Sequence, residues 1–530
     1  MTPAVSSHQS STMRPIQNAL SRRAQAVVAG CALVLAAATS ADAAPFRYVE
    51  DRAPAIVDPL FTTTMGEARL NELLFDGLFT DDRQLATVPS LAKGIRVSED
   101  RTSADIDLRT DVQWHDGKPF TSADVVFTIR AMKEPKTLSP EGARVSWIES
   151  VEATGPHSVR LVFMGPQPSP SDRLHFKILP AHVFAGTIVR RDDPFHTRPI
   201  GTGPFRFERF ETDHSVKLLP AGGGSRASET ITELVMREVS DKSYQAKLIL
   251  YESVEALVRV LPRDLAILQA DRNVELYPYQ TNSWWYVGFN QASKPWDEPE
   301  VREAVSLLID TRALLSPVGT GHPVSGPYVP SSPFYNHDVP IRSRDLGRAA
   351  ELLESVGYSR EGGTWSRGGV PLTVRMVSPR GLESAQEVAI NLQSMFQAVG
   401  LKVDNPRFVD EAEWKRKVWR ERDYELVLSQ WSFDRTEDIR QQFHSGGSRN
   451  FGSYANPEVD RLLDEARDTL DPQAKKTALR QVHRLVADDT PMVFLWTLDS
   501  YSAVRTSISK VVIHPFYFFT WITDWAAGRG

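Results

Sequence analysis

The sequence predicts an α/β protein. Three observations carry that prediction. Short stretches with a two-residue apolar period recur along the chain, and amphipathic helical stretches lie between them. Residues 344–407 run helix, strand, helix, strand, which is the alternation of a doubly wound unit. The composition, 41% hydrophobic and 24% charged over 530 residues, is that of a globular chain long enough for several domains.

The elements follow in order. "SADIDLR" (103–109) places Ala104, Ile106 and Leu108 on one face and reads as a strand, as do "HSVRLVF" (157–163) and "ELVMREV" (233–239). Between the first two lies "DVQWHDGKPFTSADVVF" (111–127). Its "HDGK" reads as a turn, with Gly117 supplying a positive φ; Thr121 and Asp124 read as a capping box opening a helix whose apolar face begins at Val125, Val126 and Ile129. Trp114 is expected in the core. His115 and Asp116 have no second group at metal-ligand spacing. "AGGGS" (221–225) is a short loop. "EPEVREAVSLLID" (298–310), with Pro299 in its first turn, "RDLGRAAELLESVGY" (344–358), closed by Gly357, and "ESAQEVAINLQSMFQAVG" (383–400) read as helices. "PLTVRMV" (371–377) and "LKVDNP" (401–406) are the intervening strands. Residues 457–470 and 472–489 read as a helical pair, and "PMVFLWT" (491–497) as one buried strand.

The first 43 residues stand apart. Arg14, Arg22 and Arg23 precede an apolar run at 24–38, and Ala41-x-Ala43 offers a cleavage site, the pattern of a secretory leader cut after Ala43. The general secretory route is expected over the twin-arginine route that "SRR" hints at. "VAGC" (28–31) is similar to a lipoprotein box, but the apolar run continues past Cys31, so a discarded cysteine is expected and lipid anchoring at Cys31 is the alternative. Cys31 is the only cysteine, so the mature chain has no disulfide and no thiolate metal site, which suits a bacterial periplasm. No later run is long and apolar enough to span a bilayer. Removing three Arg and one Asp leaves 58 basic against 66 acidic residues, a net charge of −8. With no basic cluster, nucleic acid is not an expected partner. There is no G-x-S-x-G, H-E-x-x-H or P-loop, so a binding protein is expected and a secreted hydrolase is the weaker alternative.

The stretch 111–127 also carries a resemblance. "LRTDVQWHDGKPFTSADVVFTI" resembles the signature of extracellular solute-binding proteins of family 5, which include the oligopeptide- and dipeptide-binding proteins of bacterial ABC importers. "VDPLFTTTMGEARLNELLFDGLFTDD" (57–82), "PIGTGPFRFERF" (199–210), "WWYVGFNQASKPWDEPEVREAVSLLIDTRAL" (284–314) and residues 424–466 are similar to further blocks of that family, in the same order. Two places depart. An Asn-x-x-Tyr-Trp step is replaced by "LLPAGGGSRASETITEL", and the family's W-x-x-D-x-x-D-P step is "WSFDRTED" (431–438).

The resemblance implies a two-lobed periplasmic-binding-protein clamshell with mixed sheets and an extra N-terminal subdomain. On this reading residues 44–285 form lobe I with the subdomain, 496–530 complete it, and 286–495 form lobe II. The hinge would lie near 282–288 and 495–501. The implied ligand is a peptide, the implied partner a membrane permease, the expected state a monomer, and no cofactor or metal is expected. A non-peptide solute such as a metal chelate, opine or sugar is the alternative.

The resemblance also places the site. Glu437, supported by Asp438, matches the position where peptide-binding members hold the ligand's α-amino group; otherwise these acids form a turn capping the helix "IRQQFH". Asp434 matches the first acid of the step or serves a turn. Trp431 is pocket wall or core. Trp284 and Trp285 alternate on a strand and face opposite sides, one towards the core and one towards the cleft. Thr63, Thr64 and Met65 fall in a loop that approaches ligand in the family; by themselves they read as an ordinary loop. Arg435 or Arg449 would meet a ligand carboxylate; the alternative for each is a solvated surface charge.

Overall fold

The computed structural model describes residues 1–2, 44–186, 188–222, 230–280, 283–433 and 436–527. Most of the leader with Cys31, most of the "AGGGS" loop, and Asp434 and Arg435 lie outside these residues. Among the described residues, no helix is long and apolar enough to cross a membrane.

Two mixed sheets organise the chain. The first has eight strands. At its centre Ala44–Glu50 pairs in parallel with Ile231–Glu238 on one side and Ala256–Leu257 on the other. Trp496–Arg505 and Val274–Gln280 continue one edge, and Val216–Pro220 and Phe205–Phe210 the other, all antiparallel. The second sheet has five strands, in the order Arg407–Val409, Met376–Pro379, Leu426–Ser432, Ser283–Phe289, Met492–Phe494. Its first three strands are parallel, and Ser283–Phe289 runs against both neighbours.

A four-stranded antiparallel sheet, Ala92–Val97, Ser103–Leu108, Ser158–Phe163 and Ile148–Gly155, carries the helix Ser122–Lys133 and forms the extra N-terminal subdomain. Ala104, Ile106 and Leu108 point into its core, as their period demands. That core is continuous with the one under the eight-stranded sheet: Ile106 and Val125 belong to the same cluster as Phe46, Phe205 and Trp525. The five-stranded sheet has its own cores, one on each face.

The chain passes between the two large sheets at two adjoining places. Val274–Gln280 and Ser283–Phe289 are separated by residues 281–282, and Met492–Phe494 and Trp496–Arg505 by Leu495 alone. Leu495 N–H donates to Trp285 O at 2.8 Å. The expected single strand at 491–497 is therefore two strands of different sheets. The apolar run continues because both neighbouring segments are buried; period alone does not report a change of partner.

"PLTVRMV" departs in the same way. Thr373–Val374 pairs in parallel with Lys402–Val403, and Met376–Pro379 belongs to the five-stranded sheet. The change falls at Arg375, whose carbonyl accepts from Leu426 N–H while Val374 O accepts from Asp404 N–H. A hairpin of Ser359–Glu361, Thr364–Arg367 and Val370–Pro371 precedes it, where no strand was expected. The helices follow the expected spans: Pro299–Leu307, Leu346–Ser355, Ala385–Ala398, Pro457–Asp468 and Pro472–Asp489.

Candidate functional site

The blocks that read most clearly in the sequence build the scaffold. Asp124 accepts from Thr121 N–H at 2.8 Å, from Ala181 N–H at 2.8 Å and from Trp114 Nε1 at 3.3 Å, so one carboxylate caps the helix and fastens two neighbouring segments. Gly117 takes φ +84° in the expected turn. His115 lies 3.0 Å from Gly203 O through Nε2 and accepts from Gly201 N–H through Nδ1 at 3.1 Å; burial lowers its pKa. The 111–127 and 199–210 blocks thus lock together. Both glycines press on the backbone of the third block: a Cβ on Gly201 would stand 1.7 Å from Leu74 O, and one on Gly203 2.5 Å from Leu73 O. Asp58 caps Pro59–Phe61 and faces His196 across 3.2 Å, both buried.

The 284–314 block is structural as well. Asn290 Nδ2 donates to Arg422 O and Tyr424 O. Arg302, buried, donates to the carbonyls of Trp296, Asp297, Asp489 and Thr490. A guanidinium serving four carbonyls is a satisfied core group.

Site candidates collect where the parallel strands end. Open α/β sheets receive ligands beyond the carboxyl ends of their strands. In the eight-stranded sheet these ends are Glu50, Glu238 and Leu257; in the five-stranded sheet they are Pro379, Val409 and Ser432. Glu50 is buried and bound on both oxygens by Arg69, each at 2.6 Å. Thr64 is an N-cap: its hydroxyl accepts from Glu67 N–H at 3.2 Å, and Glu67 in return accepts from Thr63 and Thr64 N–H. Met65 opens the helix Met65–Leu74 with its side chain 55% exposed.

On the five-stranded sheet the alternation holds. Trp285 faces the core, stacked on Trp496 at 5.8 Å, and Trp284 faces the opposite side. Both are buried, at 2% and 1% exposure, and Trp284 Nε1 donates to Pro327 O at 3.1 Å. Trp431 lies beside Trp284 across the strand pair and is half-buried. With its amide turned to satisfy both partners, Gln442 accepts from Trp431 Nε1 at 2.9 Å. Trp284, Trp431 and Arg449 line one cavity on this face; Trp285, Glu437 and Asp438 do not. Arg449 stands over the Trp431 ring with its guanidinium carbon 5.5 Å from the centroid.

Glu437 is 8% exposed, takes φ +49°, and accepts from Ser332 Oγ at 2.6 Å. Asp438 is exposed and accepts from Arg440 N–H at 2.8 Å, ahead of the short helix Arg440–Phe443. The cavity also takes Tyr286, Tyr424 and Gln291, none of which the sequence reading picked out. Tyr286 had a signal, since it shares a strand face with Trp284; Tyr424 and Gln291 sit in connections whose folding only the tertiary structure defines.

Comparison with known proteins agrees with this architecture. The family described as bacterial extracellular solute-binding proteins, family 5, matches residues 86–452. The oligopeptide-binding protein AppA of Bacillus subtilis (strain 168) is 23% identical over 489 residues, covering 87% of this chain and 88% of that protein. The structure of AppA from B. subtilis in complex with a nonapeptide superposes with a TM-score of 0.75 at 21% identity, over 92% of this chain and 99% of that one. NikA from Brucella suis in complex with Fe(III)-EDTA gives a TM-score of 0.80 at 15% identity, over 91% and 100%. The fold is the two-lobed α/β clamshell of periplasmic binding proteins, and the chain belongs to the bacterial extracellular solute-binding proteins of family 5.

Proposed function

We propose that the chain captures peptides between its two lobes and delivers them to the permease of an ABC importer. The observation that carries this reading is the pair of sheets, each presenting the carboxyl ends of parallel strands, joined only a few residues apart at 281–282 and Leu495. On this reading residues 44–280 with 496–530 form lobe I and 283–495 form lobe II; the boundary expected between 285 and 286 moves back because Ser283–Phe289 is a strand of the five-stranded sheet throughout. The similarity to AppA, whose structure holds a nonapeptide, supports a peptide as the solute. Trp431 offers a broad ring beside this end of lobe II, and Glu437, oriented by Ser332, receives the ligand's cationic end.

The leader is cut after Ala43 and the mature chain works as a monomer in the periplasm, without lipid. Intact mass of the exported protein checks this: a mass starting at Ala44 is expected, and a lipidated Cys31 terminus contradicts it. Mass spectrometry of the solute released on denaturation tests the main reading. Peptides are expected; a metal chelate, as held by NikA in its structure, or a sugar overturns it. Ligand-induced stabilisation without turnover of peptide or ester substrates separates binding from hydrolysis.

A further inference from the structure

Among the described residues three histidines are fully buried, His196, His483 and His514. His514 accepts from Phe516 N–H and Tyr517 N–H through Nδ1 and faces Asp81 through Nε2, so one ring proton satisfies it. His483 meets the Ser325 hydroxyl, which can give or take a hydrogen bond. His196 differs. Its Nε2 lies 2.6 Å from Arg190 O and its Nδ1 lies 3.2 Å from Asp58 Oδ2, so each nitrogen faces an acceptor. A neutral imidazole has one N–H and would set its other lone pair against an oxygen. The pair therefore needs two protons, one on Nε2 and one between Nδ1 and Oδ2. Both side chains are enclosed, at 2% and 0% exposure. Burial lowers the pKa of His196, but the Asp58 and Arg190 oxygens outweigh it and the net direction is up; burial also pushes the Asp58 carboxyl up. Both directions keep the second proton in the pair. Asp193 is the other acid that acts on the ring, and the Arg191 guanidinium packs on Phe61, whose ring stands edge-on to His196.

The pair sits at the root of a loop that leads to the carboxyl end of the central strand. Asp58 Oδ1 accepts from Leu60 N–H at 2.7 Å, and His196 O accepts from Val57 N–H at 3.2 Å. Residues 62–64 then run into the helix Met65–Leu74, and a Cβ on Gly66 would stand 3.1 Å from Glu50 Oε2, where that strand ends. We propose that the Asp58–His196 pair keeps its second proton at neutral pH and that this proton positions the loop 62–65 for solute. Its loss leaves a buried carboxylate facing a ring lone pair, so the loop loosens and capture weakens in alkaline medium. The unfolded chain holds this proton only below about pH 6.5. The stabilisation is therefore complete below that value and is lost as pH rises through the higher midpoint of the folded pair. The loop's part rests on solute capture between the lobes; the protonation stands apart from it.

Two measurements test this. The first is an NMR titration of the mature chain with isotope-labelled histidine rings, His196 being assigned from the signal missing in His196→Gln. Its midpoint is expected above those of the exposed His214 and His322, and lower in Asp58→Asn than in the wild type. A His196 midpoint at or below those of the exposed rings overturns the proposal. The second is calorimetric titration of wild type, His196→Gln and Asp58→Asn with the solute recovered from denatured exported protein, below and above that midpoint. Across it, wild-type affinity should fall at least about threefold more than that of His196→Gln, the scale of one hydrogen bond. Titration of the solute's own amine cancels in this comparison, because it acts on both chains alike. Circular dichroism checks both folds, and if His196→Gln does not fold, Asp58→Asn carries the comparison. Parallel pH profiles in wild type and variant overturn the positioning role. Recovered solute without peptide overturns the peptide reading alone. Solute that fails to rebind the wild type at any pH overturns capture and the loop's part in it, and leaves the ring titration to decide the proton.

Discussion

Ser332 Oγ donates to Glu437 Oε2 across 2.6 Å, tying the "WSFDRTED" segment to a loop 105 residues earlier in the chain. The contact fixes a carboxylate that is buried and set on a left-handed backbone. Glu437→Gln keeps an acceptor for Ser332 and removes the charge. If the carboxylate holds the ligand's ammonium, affinity for the co-purifying peptide falls at least about tenfold, since losing one partner of an enclosed charge pair costs roughly 2–5 kcal/mol. Calorimetric titration reads this; unchanged affinity in a folded variant excludes Glu437 from the site.

The contact of Gly203 with Leu73 O leads to a second prediction. A methyl group there would lie 2.5 Å from Leu73 O and 2.6 Å from the Leu74 carbonyl carbon, and backbone cannot rotate away as a side-chain tip can. Gly203→Ala should destabilise the fold by about 1–3 kcal/mol or more, the range for overpacked interiors. Denaturant unfolding measures it. A change within a few tenths of a kcal/mol would show that the two blocks do not hold each other so tightly.

These two cases mark what the sequence could and could not tell. Secondary structure was legible wherever one partner served a whole segment: Ile106 and Leu108 on their strand, or the helix ended by Gly400 at φ +92°. It failed at Arg375 and Leu495, where the chain changes partner without changing its apolar pattern. The hairpin after Tyr358 had a signal that went unused, the paired glycines 362–363 and 368–369, all at positive φ. At the site, the alternation of Trp284 and Trp285 gave their opposite faces, but a face does not say what covers it, and both turned out buried. The capping alternative considered for Asp438 describes its contact with Arg440. The family signature read most easily because its residues serve packing and capping, as Asp124, Gly203 and Arg302 do.

His483 gives a pH prediction. It is fully buried, lies 3.0 Å from Ser325 Oγ, and burial lowers its pKa to about 3. In the unfolded chain it titrates near 6.5. Between these values the unfolded state binds a proton that the folded state does not, so stability rises with pH across the window and falls as pH drops through it. His483 alone contributes a slope of up to about 1.4 kcal/mol per pH unit. Unfolding free energies measured at pH 6 and pH 4 should therefore differ less in His483→Gln than in the wild type. An identical difference would mean that His483 is protonated in the fold.

The last prediction concerns Arg259 and Glu383. Arg259 follows the strand Ala256–Leu257 of the eight-stranded sheet, and Glu383 precedes the helix Ala385–Ala398, which packs on the five-stranded sheet. Their side chains meet at 3.1 Å, so the pair joins the two lobes. Both are about half exposed, at 53% and 45%, and an ion pair so open to water is worth at most about 1 kcal/mol. It can bias opening but cannot hold the lobes shut. Arg259→Ala should therefore lower ligand affinity less than about fivefold, an effect that fades as salt rises. The same two positions serve as a ruler. The only cysteine precedes the expected leader cut, so Arg259→Cys with Glu383→Cys gives a mature chain with two labelling sites. If solute binding closes the lobes, the distance distribution between spin labels at these positions shortens and narrows when solute is added. One distribution, unchanged by saturating solute, would show that binding does not move the lobes and would remove closure from the capture mechanism.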